Sequence, residues 1–405
     1  MLVDVVVVGG GPAGAATAIE LARAGRDVVV VDRASFPRDK CCGDGLTADA
    51  LRHLEALGLR PSSVPSWNVV DDVWVRGPAG RTVRFPLPRG RGQFAVVARR
   101  THLDAALIDV ARAAGAKVYD GHALTGALDR GDHVELEVDG IGTVTARFAV
   151  GADGMWSPLR KALGCGRSGY RGEWHALRQY FHNVEGPAAH QLWVWFEPDL
   201  LPGYAWSFPL SGGRANVGFG IHRASGVSTR HMNHLWPRLL HRPQVRAVLG
   251  DAACPEAPHK AWPIPAGIDE AVLSAGRALF VGDAAAATDP MTGEGIAQAL
   301  LTGCLAARAI AGSDPGRPEH ARRRYENDVR AQLMADHRMS MFLIRALRHR
   351  RGTDAALRAA GLTAWTRRNF ARWLLEDEAR AIALTPRRWH RAFLQRDGAY
   401  FAAGV

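Results

Sequence analysis

The stretch from Val3 to Asp32 limits what this chain can fold into more than any other. Val3 to Val8 is almost wholly apolar and β-branched, the pattern of a strand buried on both faces. Gly9-Gly10-Gly11-Pro12-Ala13-Gly14 follows at once. Ala15, Ala18, Ile19 and Ala22 then recur at helical spacing, and Gly25 ends the run. A second strand is predicted from Asp27 to Val31, closing on Asp32. Gly9 allows the tight turn, Gly11 lets a pyrophosphate approach the backbone, and Gly14 lets the helix lie close on the strand. The free N–H groups of that helix then face the phosphates. Asp32 is placed to accept a hydrogen bond from a ribose hydroxyl. A glycine-rich turn alone is weak evidence. The strand before it, the helix after it and the acid at the right distance favour an adenine dinucleotide over a purely structural turn.

The 405 residues allow two or three domains with ample core, and an apolar content of 47% is ordinary for a globular protein. No run of 18 uninterrupted apolar residues exists, so no transmembrane helix is expected. The first strand begins at residue 3, which predicts a cytoplasmic protein without a signal peptide. Five cysteines (Cys41, Cys42, Cys165, Cys254 and Cys304) are few, odd in number and without metal spacing, so neither a disulfide framework nor a metal site is expected. The net charge of +11 is uneven: residues 317–405 carry 19 Arg against 9 acids. The excess basicity lies in that segment, away from the glycine turn. No nucleic-acid recognition motif accompanies it, and no nucleic-acid partner is expected.

Phe36-Pro37-Arg38-Asp39-Lys40-Cys41-Cys42-Gly43-Asp44-Gly45 is too polar and glycine-rich for a core element. A helix is predicted from Thr47 to Gly58 and another from Arg100 to Ala114. Short strands are expected at 68–76, 82–87 and 93–98, and a small meander between 116 and 150. Residues 172–265 read as a long β-rich stretch. Within it Leu192, Val194 and Phe196 alternate with Trp193 and Trp195, so one strand is expected to bury aliphatics on one side and offer indoles on the other, in a sheet that carries an aromatic pocket. Ala278 to Val281 is a further buried strand ending at Gly282-Asp283. Pro290-Met291-Thr292-Gly293-Glu294-Gly295 opens a long helix with Ile296, Ala299, Leu300 and Gly303 on one face, and the remainder is helical and Arg-rich.

Three motifs in order, the glycine turn with Asp32, then Ala152-Asp153-Gly154 with Arg160, then Gly282-Asp283 with Pro290 and Gly293-Glu294-Gly295, resemble the FAD-dependent enzymes of the para-hydroxybenzoate hydroxylase fold. The resemblance spans roughly residues 1–315. It implies an α/β protein: a discontinuous, Rossmann-like FAD-binding domain (1–65, 96–170 and 270–316), an inserted β-sheet substrate domain (66–95 and 171–269) and a basic helical C-terminal segment (317–405). It implies FAD contacts from Gly9, Gly11, Pro12, Ala13, Gly14, Asp32, Arg33, Cys42, Gly43, Arg100, Asp153, Gly282, Asp283, Pro290, Gly293, Gly295 and Ile296. Arg100, in its Arg-x-x-Leu-Asp setting, matches a family arginine near FAD. The N–H groups at Gly293-Glu294-Gly295 are expected at the N1–C2=O edge of the flavin, where a positive helix end stabilises the reduced anion. No second glycine fingerprint is present, so NAD(P)H or a reduced carrier is expected only as a transient electron donor.

Within that fold, Lys40-Cys41-Cys42-Gly43-Asp44 looks like the Lys-x-Cys-Gly-Asp/Glu loop of the geranylgeranyl reductase branch. Tyr204-Ala205-Trp206-Ser207-Phe208-Pro209 resembles that branch's Tyr-x-Trp-x-Phe-Pro motif. The resemblance implies reduction of C=C bonds in a prenyl or other hydrophobic substrate. Tyr204 and Trp206 would line the substrate pocket, and Cys42, Tyr204 or a water would supply the proton. Cys41 departs from the family residue before the cysteine. The same fold admits a flavin monooxygenase (hydroxylase or epoxidase) or a halogenase acting on an aromatic or polyketide-like metabolite, or a non-enzymatic flavin-binding protein. Tyr204 and Phe208 replace the tryptophan and isoleucine of the halogenase motif. The basic segment, with Phe342, Leu343, Ile344, Leu347, Trp365, Phe370 and Trp373 among arginines, suits either peripheral contact with an anionic membrane or a docked helical domain.

Overall fold

A computed structural model describes residues 2–225, 227–391, 393 and 395–401. The predicted opening forms: strand β1 (Leu2–Val8), helix α1 (Pro12–Arg23) and strand β2 (Val28–Asp32). Val5, Val6 and Val7 are fully buried, because β1 is central in an eight-stranded sheet. Its main path runs Ser274–Ala275, Ala278–Phe280, Gly142–Gly151, β1, β2 and Lys117–Asp120. The four pairings from Ala278–Phe280 across to Lys117–Asp120 are all parallel. Strands separated by more than a hundred residues thus share one edge-to-edge register. Their carboxyl ends meet on one side, where ligands bind in open α/β sheets.

The second eight-stranded sheet is built from 72–86 and 174–264. Tyr204–Leu210 lies between Leu192–Trp195 and Arg214–His222. Here the structure corrects the sequence reading twice. The stretch expected to be β-rich throughout also contains two helices, Thr229–Leu240 and Pro243–Leu249. Ser228 caps the first, and Met232, Leu235, Trp236 and Leu239 recur at helical spacing to pack on Leu177 and Phe219. Trp193 and Trp195 join that same packed layer, stacked on each other and on Trp74. The indoles therefore form core, and the aliphatic side of that strand (Leu192, Val194, Phe196) faces the cavity.

The helix Ile296–Ala311 packs against α1 and carries twelve buried residues. The long helix Pro318–Leu347 lies on it in turn. Two further helices, Arg350–Ala360 and Ala364–Leu374, return to the second sheet, the latter against strand Thr82–Pro86. Several arginines of this segment turn inward: Arg372 pairs with Asp377, and Arg388 with Asp336 at 2.7 Å. The segment is docked, not a free cationic arm.

Candidate active site

One cavity of about 1320 Å³ joins the carboxyl ends of the parallel strands to the second sheet. Pockets for a single small ligand are about 300–1,000 Å³, so this one has room for a dinucleotide and a second molecule.

Its polar end is the glycine turn. Gly9 has φ +100°, and a Cβ there would lie 2.3 Å from the Ala152 carbonyl oxygen. A Cβ on Gly14 would lie 1.8 Å from the Gly9 carbonyl oxygen. Gly11 differs: its free face looks onto Arg38 and Arg100, whose Nη2 atoms would be 3.5 and 3.8 Å from a Cβ. Gly11 is the N-cap of α1, Pro12 opens the helix, and no side chain caps it. The turn thus offers helix N–H groups and two guanidinium groups to an anion. Both guanidinium groups rest on fully buried Asp104: Arg100 at 2.7 and 2.8 Å, Arg38 at 2.9 Å. Both cations share Asp104, and Arg38 also lies 4.0 Å from Asp32. Asp32 ends β2 with its carboxylate accepting from the Gly10 and Ala34 N–H groups at 2.7 and 2.9 Å. Asp32 and Arg33 both line the cavity.

Asp153 also lines it, and one of its oxygens accepts from the Leu159 N–H at 2.9 Å. The other oxygen is buried without a partner among the described residues, and burial pushes the carboxyl upward. Arg160 ties this turn to the next one, donating to the carbonyls of Met155 (2.8 Å) and Ala284 (2.5 Å). Gly282 has φ +57° and donates to Thr302 Oγ1 at 2.9 Å. Asp283 beside it faces Lys40 across 3.7 Å. Lys40 lies 4.2 Å from the Trp262 ring centre, and burial lowers its proton affinity.

The turn before the helix Ile296–Ala311 is built by Asp289. Its Oδ1 accepts from the N–H groups of Met291 and Thr292 and from the Thr292 hydroxyl. The Pro290 carbonyl accepts from the Trp174 indole at 2.7 Å. Gly293 has φ +69° and sits against Tyr204, and Gly295 packs on Thr288. The first helical N–H groups depart from expectation. The Glu294 carboxylate already takes those of Ile296 and Ala297, at 2.7 and 3.0 Å. A glutamate just ahead of a helix can fold back onto its first turn, so the helix end is self-capped.

The loop 40–45 presses against strand Tyr204–Leu210. A Cβ on Gly43 or Gly45 would meet Phe208 at 3.3 or 3.0 Å. The Trp206 indole donates to Asn216 (3.2 Å), and Asn216 donates to the Cys42 carbonyl (2.8 Å) and to Asp44 (2.9 Å). Tyr180 donates to the same Asp44 oxygen at 2.6 Å. Asp44 is fully buried, which pushes its carboxyl up to about 6. Burial also raises the Cys42 thiol, and raises Cys41 to about 11. Both thiols therefore hold their protons at neutral pH. The Tyr204 hydroxyl donates to the Thr292 carbonyl, and burial raises it too.

The predicted site residues all border this cavity except Gly14, which packs on Gly9 and Ala152 behind the turn, and Pro290, which acts through its turn. Sequence reasoning did not single out Arg38, Asp104, Tyr180, Asn216, Glu294, Glu376 or Arg380. Asp104 had a signal, four residues after Arg100 on one helix face. Asn216 and Tyr180 had none, because only sheet pairing brings them to the loop. The far end of the cavity is apolar, lined by Val73, Val75, Leu192, Leu357, Phe370 and Leu374.

A family model described as an FAD binding domain matches residues 2–312. The menaquinone reductase of Mycolicibacterium smegmatis is 36% identical over 331 residues, which are 76% of this chain and 76% of that protein. Digeranylgeranylglycerophospholipid reductase 1 of Methanopyrus kandleri is 34% identical over 314 residues, 75% of this chain and 79% of that protein. Among solved structures, a geranylgeranyl bacteriochlorophyll reductase-like protein of Thermoplasma acidophilum superposes with a TM-score of 0.78 at 21% identity. The match covers 96% of this chain and 99% of that one, a likeness of fold. With the glycine turn, the arginine cradle and the Lys-x-Cys-Gly-Asp loop on one cavity, the chain belongs to the geranylgeranyl reductase family of FAD-dependent oxidoreductases.

Proposed function

We propose that this enzyme reduces C=C bonds of a prenylated, hydrophobic substrate of the menaquinone or prenyl-lipid kind. The observation that carries this reading is the lining of the cavity: one continuous space bordered by the glycine turn with Arg38 and Arg100 and by the apolar side chains Val73, Val75, Leu192, Leu357, Phe370 and Leu374. The names of the 36% and 34% identical relatives support the same substrate class. In this reading Gly11, Pro12, Ala13, Arg38 and Arg100 hold the FAD pyrophosphate, Gly14 lets α1 lie close behind the turn, and Asp32 holds a ribose. The turns at Asp153, Gly282-Asp283 and Gly293–Ile296, with Cys42 and Gly43, hold the rest of the cofactor. Bound FAD supplies a hydride once reduced by NAD(P)H or another carrier. Tyr204 and Trp206 form the polar-to-apolar border of the substrate site, and the apolar end excludes water from a bond that is a poor hydride acceptor. Under anaerobic conditions, dithionite-reduced enzyme should be reoxidised by a menaquinone or a geranylgeranyl compound in detergent, with a gain of about two mass units per double bond that survives reoxidation of any quinol in air, as one hydride and one proton add. Reduced flavin that persists until oxygen is admitted would overturn this reading in favour of an oxygen-using flavoenzyme.

Such a substrate resides in a membrane, and we place the membrane contact on the C-terminal segment. Phe342, Leu362, Trp365, Leu384 and Trp389 are each more than 60% exposed within this Arg-rich region. Among the described residues no helix is long and apolar enough to cross a membrane, so the contact would be interfacial. Binding to vesicles containing anionic lipid should be measurable by co-sedimentation, weaken in high salt and fall on replacing Trp365 and Trp389 by serine. Equal binding by that variant would move the contact elsewhere.

A further inference from the structure

Two carboxyl groups, Asp289 and Glu376, pair with one guanidinium group beside the cavity, and a third, Glu294, feels the charges of Asp289 and of that guanidinium. Arg380, buried and contributed by the C-terminal segment, lies 3.2 Å from Asp289 and 3.3 Å from Glu376, and donates to the Thr292 hydroxyl at 3.2 Å. Glu376 is held further by Thr47 and Gln298, each at 3.1 Å. Asp289 also accepts from Ser340 at 2.6 Å, and its N–H donates to the Glu294 carbonyl at 2.8 Å. Glu294 belongs to this group and alone of the three carboxyl groups lines the cavity.

Charge counting shows what such a cluster must do. If all three carboxyl groups ionised, two negative charges would stay uncompensated in a largely dry site, so protons remain on the least supported members. Asp289 is not one of them: burial works against its charge, but Arg380, Ser340 and Thr292 outweigh it and hold it below its ordinary value. Burial and the neighbouring anions leave Glu294 at about 7 and Glu376 at about 8. The other ionisable groups facing Glu294 are Tyr204 and Cys42, with Asp49 beyond Glu376 and Asp336 beyond Arg380.

We propose that Glu294 is the proton donor of the reduction, and that Arg380 and Glu376 of the C-terminal segment are positioning residues that set its charge state. This rests on the C=C-reductase reading. The alternatives on the same wall are less suited. The Tyr204 O–H points into the Thr292 carbonyl, and its loss would set a phenolate beside Glu294 and Asp289. The Cys42 sulfur lies in a site that disfavours its thiolate. Glu294, once ionised, keeps two helix N–H bonds that stabilise the anion. The step balances as follows. Reduced FAD gives a hydride to one alkene carbon and is oxidised by two electrons. The π pair forms a new C–H bond at the other carbon with the Glu294 proton, the O–H bond breaks, and the carboxylate is reprotonated by water.

The test uses FAD-loaded full-length wild type, E294Q, R380Q and C42A, reduced anaerobically and mixed with a short-chain menaquinone across about pH 5.5–9, the rate being read as side-chain-saturated product by mass after the quinol is reoxidised, because the quinone ring also accepts the flavin's electrons. Glutamine keeps an oxygen for the Ile296 and Ala297 N–H groups, so E294Q retains the helix cap. A donor must be protonated, so the wild-type rate should be flat at acid pH and fall about tenfold per unit above about 7. E294Q should be slowed about 10²-fold or more and lose that limb, while binding FAD as wild type does. R380Q removes a cation that favours the Glu294 anion, so its limb should move to higher pH. C42A should keep the limb. As a readout independent of turnover, one of the infrared carboxylic-acid bands that titrate between about pH 6 and 8 in wild type, the Glu294 band, should vanish in E294Q while those of Asp44 and Glu376 stay. A wild-type rate and limb in E294Q, or persistence of all three bands, overturns the proposal alone. Failure of wild type itself to form saturated product overturns the reductase reading on which it rests.

Discussion

Replacing Arg100 by leucine is expected to lower the stability of the protein by about 3 kcal/mol and to weaken FAD binding as well. The cause is Asp104. It is wholly inaccessible to water, and its charge is balanced by Arg100 through two hydrogen bonds and by Arg38 through one. Removing one partner of a buried pair costs about 3–5 kcal/mol, because the charge left behind cannot be rehydrated. Arg38 stays, so the lower end of that range applies. The leucine is similar in bulk to the arginine stem but donates nothing to a phosphate. A double variant, R100L/D104L, separates the two losses. It removes the stranded charge and should recover most of the stability, yet remain poor in FAD binding because one cation of the cradle is gone. Denaturant unfolding of the apo-proteins measures the first effect, and quenching of flavin fluorescence measures the second. Equal destabilisation of the single and double variants would show that the buried charge is not the cause.

How far the sequence revealed this arrangement depended on how local each determinant is. The parallel core was legible because β1 and β2 are nearly unbroken valine runs and need no neighbour to declare them buried. Gly14 was legible because the atom that excludes a side chain there, the Gly9 carbonyl, belongs to the same turn, whereas the Ala152 carbonyl that excludes one at Gly9 comes from the end of a strand distant in sequence. The side of the sheet used by Trp193 and Trp195 was not legible. Alternation says only that two faces differ, and the face is chosen by the helix Thr229–Leu240, 34 residues further on. The same limit hid the carboxyl cluster. Asp289 and Glu294 lie in a recognisable motif, but Glu376 and Arg380 arrive from a segment whose composition signalled only positive charge. In that segment an inward arginine reads like an outward one, since nothing in its immediate neighbours reports the acid it will meet.

Gly11→Val should give a protein that folds and stays colourless. Among the turn's glycines, Gly11 is the one that tests ligand binding and not folding. A side chain at Gly14 would collide with the Gly9 carbonyl, and one at Gly9 with Ala152, so loss of flavin in either variant would say little. Gly11 has φ −74°, an extended N-cap conformation open to any residue, and nothing nearer than 3.5 Å where its Cβ would lie. Valine therefore costs the apo-protein little. Its methyl groups would instead stand between the first turn of α1 and the guanidinium groups of Arg38 and Arg100, where a pyrophosphate must lie to reach both. Losing two charge-assisted hydrogen bonds at about 1.5–3 kcal/mol each weakens binding by about 10²–10⁴-fold at 1.4 kcal/mol per decade. The wild type should bind added FAD and turn yellow. G11V should not, while keeping an apo unfolding transition within about 1 kcal/mol of wild type. G11A, with a single methyl group, should fall between them. A yellow G11V protein of unchanged affinity would mean that the dinucleotide does not lie on this turn, and the arginine cradle would then need another anion.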